Sequence, residues 1–142
     1  MARMIGKTSL VLPAAALAAA FMLSAAEPPP MLSQARPGLW EVSGAPGMKA
    51  PLRLCIADVT ALPRFEHRAH SCTSKVIRQS GSAAEVEYSC GAAGFGHSEV
   101  IALTPRSLRI ATQGISDGLP FNYVVQARRM GDCPKSAFVT GH

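Results

Sequence analysis

Ser71 to Gly91 reads SCTSKVIRQSGSAAEVEYSCG, two alternating runs around a small-residue turn at Ser80-Gly81-Ser82, with a cysteine at each outer end. With Gly81 as pivot, Val76 faces Val86, Ser74 faces Tyr88 and Cys72 faces Cys90. Residues two apart on a strand share a face, so Val86, Tyr88 and Cys90 point the same way. The stretch predicts a β-hairpin that a Cys72–Cys90 disulfide closes. The claim is sharp, because a slip of one residue would put the two cysteines on opposite faces.

Outward from the hairpin, the same alternation recurs. Upstream, Trp40 and Val42 share one strand face and Leu39, Glu41 and Ser43 the other, which makes the sole tryptophan a core anchor. Gly44-Ala45-Pro46-Gly47 breaks that strand. Leu52, Leu54 and Ile56 alternate with Arg53 and Cys55 in a second one. Asp58 to Leu62 is the one helical turn predicted, with Asp58 as N-cap and Pro63 as stop. Arg64 to Ser71 reads as a polar loop that leaves His67 and His70 solvated. Downstream, Gly91 to Gly96 is a glycine-rich connector, and strands follow over His97 to Leu103 and around Leu108 to Gln113. Gly114 to Pro120 reads as a turn region. Phe121, Tyr123, Val125 and Ala127 line one face of a last long strand. The sum is an all-β antiparallel meander of about seven strands, forming a rolled sheet or small barrel with two disulfides.

The chain opens on an address. Arg3 and Lys7 precede an apolar run from Thr8 to Leu23, and Ser24-Ala25-Ala26 supplies the small residues of a cleavage site. Residues 1–26 therefore read as a secretory signal cut after Ala26, and the destination as periplasmic or secreted. Residues 27–35, with Pro28-Pro29-Pro30, read as a Pro-rich extended leader. Residues 36–133 form a single β-rich domain, and 134–142 a flexible tail. The whole chain carries 14 Lys+Arg against 9 Asp+Glu, a net +5; without Arg3 and Lys7 the balance is 12 − 9 = +3. Spread without a basic run, that charge makes no nucleic-acid surface. No apolar stretch after Ala26 reaches the length of a membrane span.

All four cysteines, Cys55, Cys72, Cys90 and Cys133, fall in the exported part. An even count in a small exported domain reads as a disulfide framework. Cys72–Cys90 with Cys55–Cys133 is the favoured connectivity; Cys55–Cys72 with Cys90–Cys133 is the alternative. Neither a Cys-x-x-Cys spacing nor a helix start accompanies any of them, which argues against redox catalysis.

Other chemistry is thinly represented. His67 and His70, with His97, Glu66 or Glu99, contain zinc-ligand types, but two of the histidines lie in a predicted loop. His97-Ser98 with Asp117 or Asp132 contains the residue types of a hydrolase without a nucleophile elbow. Gly91 to Gly96 lacks the Lys-Ser/Thr ending of a phosphate loop. Arg106, Arg109, Arg128 and Arg129 offer an anion-binding patch, yet Arg128 and Arg129 fall on opposite faces of a regular strand. A rolled meander can also enclose a small apolar ligand.

Pro37-Gly38-Leu39-Trp40-Glu41, Cys55-Ile56, Cys72, Cys90 and the closing Arg128-Arg129-Met130-Gly131-Asp132-Cys133 together resemble the bacterial family called domain of unknown function 3617. The resemblance spans about Arg36 to Cys133. It implies a small exported β-rich protein with disulfides, and it brings no activity, cofactor or catalytic residue. The expectation is an accessory or interaction protein of the envelope, monomeric, without catalytic activity, cofactor or metal. Its partner would be an unknown envelope protein. The second reading is a carrier of a small apolar ligand inside the meander.

Overall fold

Seven strands form one antiparallel sheet in the computed structural model, which describes residues 31–135: β1 (Gly38–Ser43), β2 (Leu52–Ile56), β3 (Thr73–Ser80), β4 (Ala83–Ser89), β5 (Gly94–Thr104), β6 (Ser107–Ser116) and β7 (Leu119–Gly131). The order across the sheet is β2-β1-β7-β6-β5-β4-β3. β3 to β7 run as a meander, each strand paired with the next, and the β1–β2 hairpin docks on the far side through β1 against β7. The sheet stays open: β2 and β3 are its two edges. The expected seven-stranded rolled sheet is what forms; the barrel alternative does not. The expected signal over 1–26 lies outside the described residues, as do residues 27–30 of the leader and 136–142 of the tail.

A segment crosses one face of the sheet. Three 3-10 helices, η1 (Met31–Gln34), η2 (Val59–His67) and η3 (Gly91–Ala93), complete the fold. The Asp58 carboxylate caps η2, accepting from the Thr60 amide at 2.9 Å, and hydrogen bonds from the Thr60 hydroxyl and then its amide hold its pKa below the ordinary carboxylate value. Pro63 ends the first helical turn as the sequence suggests, but the segment does not stop there. The chain kinks at Arg64 and turns once more through His67. The extension lays Leu62, Pro63, Phe65 and His67 against one face of the sheet.

That face is apolar because the alternating residues of four strands converge on it. Trp40 and Val42 of β1, Val100 and Ala102 of β5, Leu108 and Ile110 of β6, and Val125 and Ala127 of β7 pack with Leu62 and Phe65. The Trp40 indole N–H donates to the Arg36 carbonyl at 3.1 Å, so its polar edge is satisfied within the core. Ala35 joins the same cluster with Leu32 packed against it. Within the leader expected to be extended, Met31–Gln34 form a 3-10 turn that seats Leu32 against the core.

The hairpin of Ser71 to Gly91 forms as read at its cysteine end. Ser74 pairs with Tyr88, Val76 with Val86 and Thr73 with Ser89, and Cys72 and Cys90 are joined by a disulfide. The turn differs. Only Gly81 and Ser82 lie between the strands, Ser80 pairs with Ala83, and Gly81 takes φ +54°. Glycine first in a two-residue turn is the arrangement whose twist suits a hairpin. The residue saved at the turn reappears as a bulge at Ile77, where the register shifts. β3 is exposed along its whole length on both faces.

The predicted turn over Gly114 to Pro120 shrinks likewise. β6 continues through Ser116, and Asp117-Gly118, both at positive φ, make the turn alone. An aspartate–glycine pair is among the few that accept two left-handed residues in succession.

Candidate functional site

The sheet has a second face, and its side chains fall into rows set by the register. One row runs Lys75, Glu87, His97, Gln113, Asn122 across β3, β4, β5, β6 and β7. The adjacent row runs Thr73, Ser89, Phe95, Ile115, Pro120. Gly96 and Gly114 are paired between the central strands. All of these except Pro120 line a trough of about 790 Å3. Among the described residues, no side chain of the first row forms a hydrogen bond or an ion pair. Phe95 beside it is 56 % exposed. Five unspent polar groups flanking an exposed aromatic ring are the composition of a recognition surface, in which apolar contact supplies affinity and polar groups supply register.

Beneath the trough, on the η2 side, lies a polar spine. Ser98 and Thr112 are both buried, with hydroxyls 2.9 Å apart. Ser98 donates to the Pro63 carbonyl, and the Tyr88 hydroxyl stands 3.5 Å from that of Thr112. A carbonyl only accepts, so the one Ser98 proton goes to Pro63 and the hydroxyls behind it align in series. The series ties η2 to β4, β5 and β6. Burial raises the Tyr88 pKa above the ordinary phenol value, with Thr112 acting the other way. Ser98 is thus a structural fastener, and His97, next to it in sequence, points through the opposite face.

His67 contradicts its reading as a solvated loop residue. It is 1 % exposed, packed edge-on against Tyr88 and Phe121, and its Nε2 lies 3.1 Å from the Ala93 carbonyl. That contact makes Nε2 the protonated nitrogen and leaves Nδ1 with no hydrogen-bond partner. Gly94 explains how the histidine comes so close. A Cβ at that position would stand 2.9 Å from His67 Nε2 and inside contact distance of the Ile115 carbonyl, at φ +127°. His70 lies on the surface with its ring 6.2 Å from that of His67, while His97 and Glu99 belong to the other side of the sheet. The fold disperses these side chains, and no group of three or more His, Cys, Asp and Glu among the described residues is placed to hold a metal.

The remaining sequence candidates gather at one corner. Arg129 donates to the Pro37 carbonyl at 2.8 and 3.0 Å and to Asp132 at 2.7 Å. Trp40 pairs with Arg129 and Leu39 with Gly131, which leaves Met130 as an extra residue at the register shift. Arg128 and Arg129 still alternate along the strand, opposite Glu41 and Trp40, as expected, and both border one 650 Å3 depression with Arg106 and Ser107. Its cations are partly spent, since Arg106 donates to the Arg129 carbonyl and Arg129 is committed as above. Arg109, two residues beyond Ser107 on β6, does not line the depression.

Cys55 pairs with Leu39 across β1, and Cys133 follows Gly131 by two residues, within hydrogen-bonding reach of the Cys55 thiol. The structure thus contains one disulfide and one adjacent pair of free thiols in place of the two disulfides expected. Desolvation first, then the Cys55 thiol, pushes the Cys133 pKa up to about 11. At pH 8 the thiolate fraction of such a group falls about a hundredfold below an ordinary thiol's, and the greater nucleophilicity of a more basic thiolate returns about tenfold. With Cys55 and Cys133 reduced, Cys133 is expected to react with iodoacetamide about tenfold slower than a free cysteine peptide at pH 8. Its rate should climb with pH toward 11. Equal rates at pH 8, measured by peptide mass spectrometry, would refute the assignment.

An open all-β sheet, crossed by a 3-10 segment and clasped by a hairpin disulfide, is the class of protein these features define. Residues 35–133 match the family described as protein of unknown function (DUF3617), and the chain belongs to that family. Of the residues that carried the resemblance, Pro37 to Glu41, Cys55 and Arg128 to Cys133 gather around the Arg129 corner, while Cys72 and Cys90 close the hairpin. No curated protein and no solved structure matches the chain.

Proposed function

We propose that this protein is exported to the cell envelope and acts there as a monomeric accessory module, binding a partner protein through the trough face without catalysing a reaction. The observation that carries the reading is the row Lys75, Glu87, His97, Gln113, Asn122, unpaired within the described chain and bordered by Phe95 and Ile115. The Cys72–Cys90 disulfide is compatible with export, and no helix among the described residues is long and apolar enough to cross a membrane. In the oxidising compartment Cys55 and Cys133 close into a second disulfide. Binding without catalysis is supported by the uses already made of the nucleophile and base types: Ser98 donates to Pro63, and His67 to Ala93. The reading of a carrier with its ligand inside a barrel has less support, because the sheet is open and its inner face packs on η2.

A photocrosslinking residue placed at Gln113 in intact cells tests the proposal. A discrete adduct is expected from Gln113, absent when the same residue replaces Ser82 at the hairpin turn, and lost on adding Phe95→Asp. Mass spectrometry of the purified chain should find Glu27 at its N-terminus and Cys55 linked to Cys133. An adduct pattern indifferent to Phe95→Asp would sink the trough as the binding face, and an unprocessed N-terminus would sink export.

A further inference from the structure

On the η2 side of the sheet, the β1–β2 connection, the end of η2 and the start of β7 enclose a cleft of about 660 Å3. Glu66 lies in its wall, half-buried, with Oε2 accepting from the Tyr123 hydroxyl at 2.7 Å. Burial, followed by that carboxylate, holds the Tyr123 phenol well above its ordinary pKa. The phenol therefore remains a donor, and it holds the carboxylate in place. Glu66 forms no ion pair among the described residues, and its second oxygen has no partner there. Arg68 also lies in the wall. Its guanidinium stacks over Phe65 with Cζ 4.6 Å from the ring centroid and donates to the Phe65 carbonyl at 3.1 Å. The remaining N–H groups of that guanidinium are unengaged.

One cleft thus carries a negative and a positive pole that do not neutralise each other, with Met48, Leu52 and Phe121 supplying apolar wall between the elements. A half-buried carboxylate without a counter-ion is costly, and a ligand cation relieves that cost. The aromatic rings of Phe121 and Tyr123, 5.9 Å apart, add a surface that favours an ammonium group. A planar guanidinium beside it suits a carboxylate. We propose that this cleft binds a small zwitterion of the free amino acid class with an apolar side chain, its ammonium on Glu66 and its carboxylate on Arg68. The cleft shares Phe121 and Asn122 with the trough, whereas Glu66, Arg68 and Tyr123 belong to the cleft and not to the trough.

Titration of the full exported chain with L-leucine, followed by amide chemical shifts, tests it. Saturable shifts are expected at Glu66, Arg68, Phe121 and Tyr123. Affinity should fall at least about tenfold in Glu66→Gln and again in Arg68→Gln, the scale of a lost charge-assisted hydrogen bond. Glu66→Gln keeps an oxygen for Tyr123, so an unchanged melting temperature shows that the variant is folded. Isoamylamine, which lacks the carboxylate, should bind more weakly and be indifferent to Arg68→Gln. Absence of saturation with leucine to about 10 mM, or equal affinities in both variants and the parent, would overturn the site. Isoamylamine binding as tightly as leucine would overturn the zwitterion.

Discussion

The Cys72→Ser/Cys90→Ser double variant is expected to melt about 15 °C below the oxidised parent, a loss of about 3 kcal/mol. The bond closes a separation of 18 residues, and the loop entropy it removes from the unfolded chain sets that magnitude. The folded structure makes the loss hard to recover elsewhere. β3 is an edge strand exposed on both faces, so it buries little apolar surface and depends on β4 and on the cross-link. Hydrogen exchange in the variant should accordingly rise first in Thr73 to Ser80. Calorimetry showing a shift below about 5 °C would mean that the bond merely decorates a hairpin already held by its ladder. Deleting Ile77 separates register from entropy. The deletion removes the bulge and leaves Val76 opposite Val86, so the disulfide should still form; free thiols at Cys72 and Cys90 in that variant would refute the bulge account.

Trp40→Ala is expected to cost about 4 kcal/mol, the upper range for truncating a buried aromatic. Trp40 is fully buried at the centre of the core cluster, β1 is held between β2 and β7, and its indole is tied to Arg36. Removal opens a cavity under the Arg129 corner and orphans a carbonyl. Against a total of roughly 5–15 kcal/mol for a domain, the change leaves a protein near its folding threshold. Urea unfolding followed by circular dichroism reads the loss, since the chain has no second tryptophan to report by fluorescence. Trp40→Phe should recover most of it, lacking only the hydrogen bond to Arg36. A cost below about 2 kcal/mol for the alanine would show that the site collapses around the gap.

Alternation and turn chemistry are local properties, and here they carried far. Val86-Glu-Tyr88-Ser-Cys90 announces its strand, its buried face and its cysteine partner, because side-chain period two leaves one register with both cysteines on the same side. Trp40 was legible as core for the same reason. The path of η2 was not. Pro63 looks like a stop in any reading of neighbours alone, and Leu62, Phe65 and His67 become one buried stripe only because the sheet offers an apolar face for them to cross.

His67 shows the limit most clearly. Its polar neighbours place it in solvent, whereas contacts with Ala93, Gly94, Tyr88 and Phe121 bury it, and these come from sequence positions 21 or more residues away. The trough row and the Glu66–Arg68 cleft are likewise products of register between distant strands. Their residues are ordinary polar side chains, singly without signal, and acquire meaning from which neighbours the sheet sets beside them. By itself, then, the sequence determined an all-β chain with the Cys72–Cys90 hairpin and a tryptophan core, since each depends on periodicity along one or two strands. Tertiary structure alone decided that the sheet stays open, that β1 docks on β7 and that η2 runs on past Pro63 to bury His67. Those outcomes depend on long-range pairing, whose free energy is shared among many residues and written in no single segment.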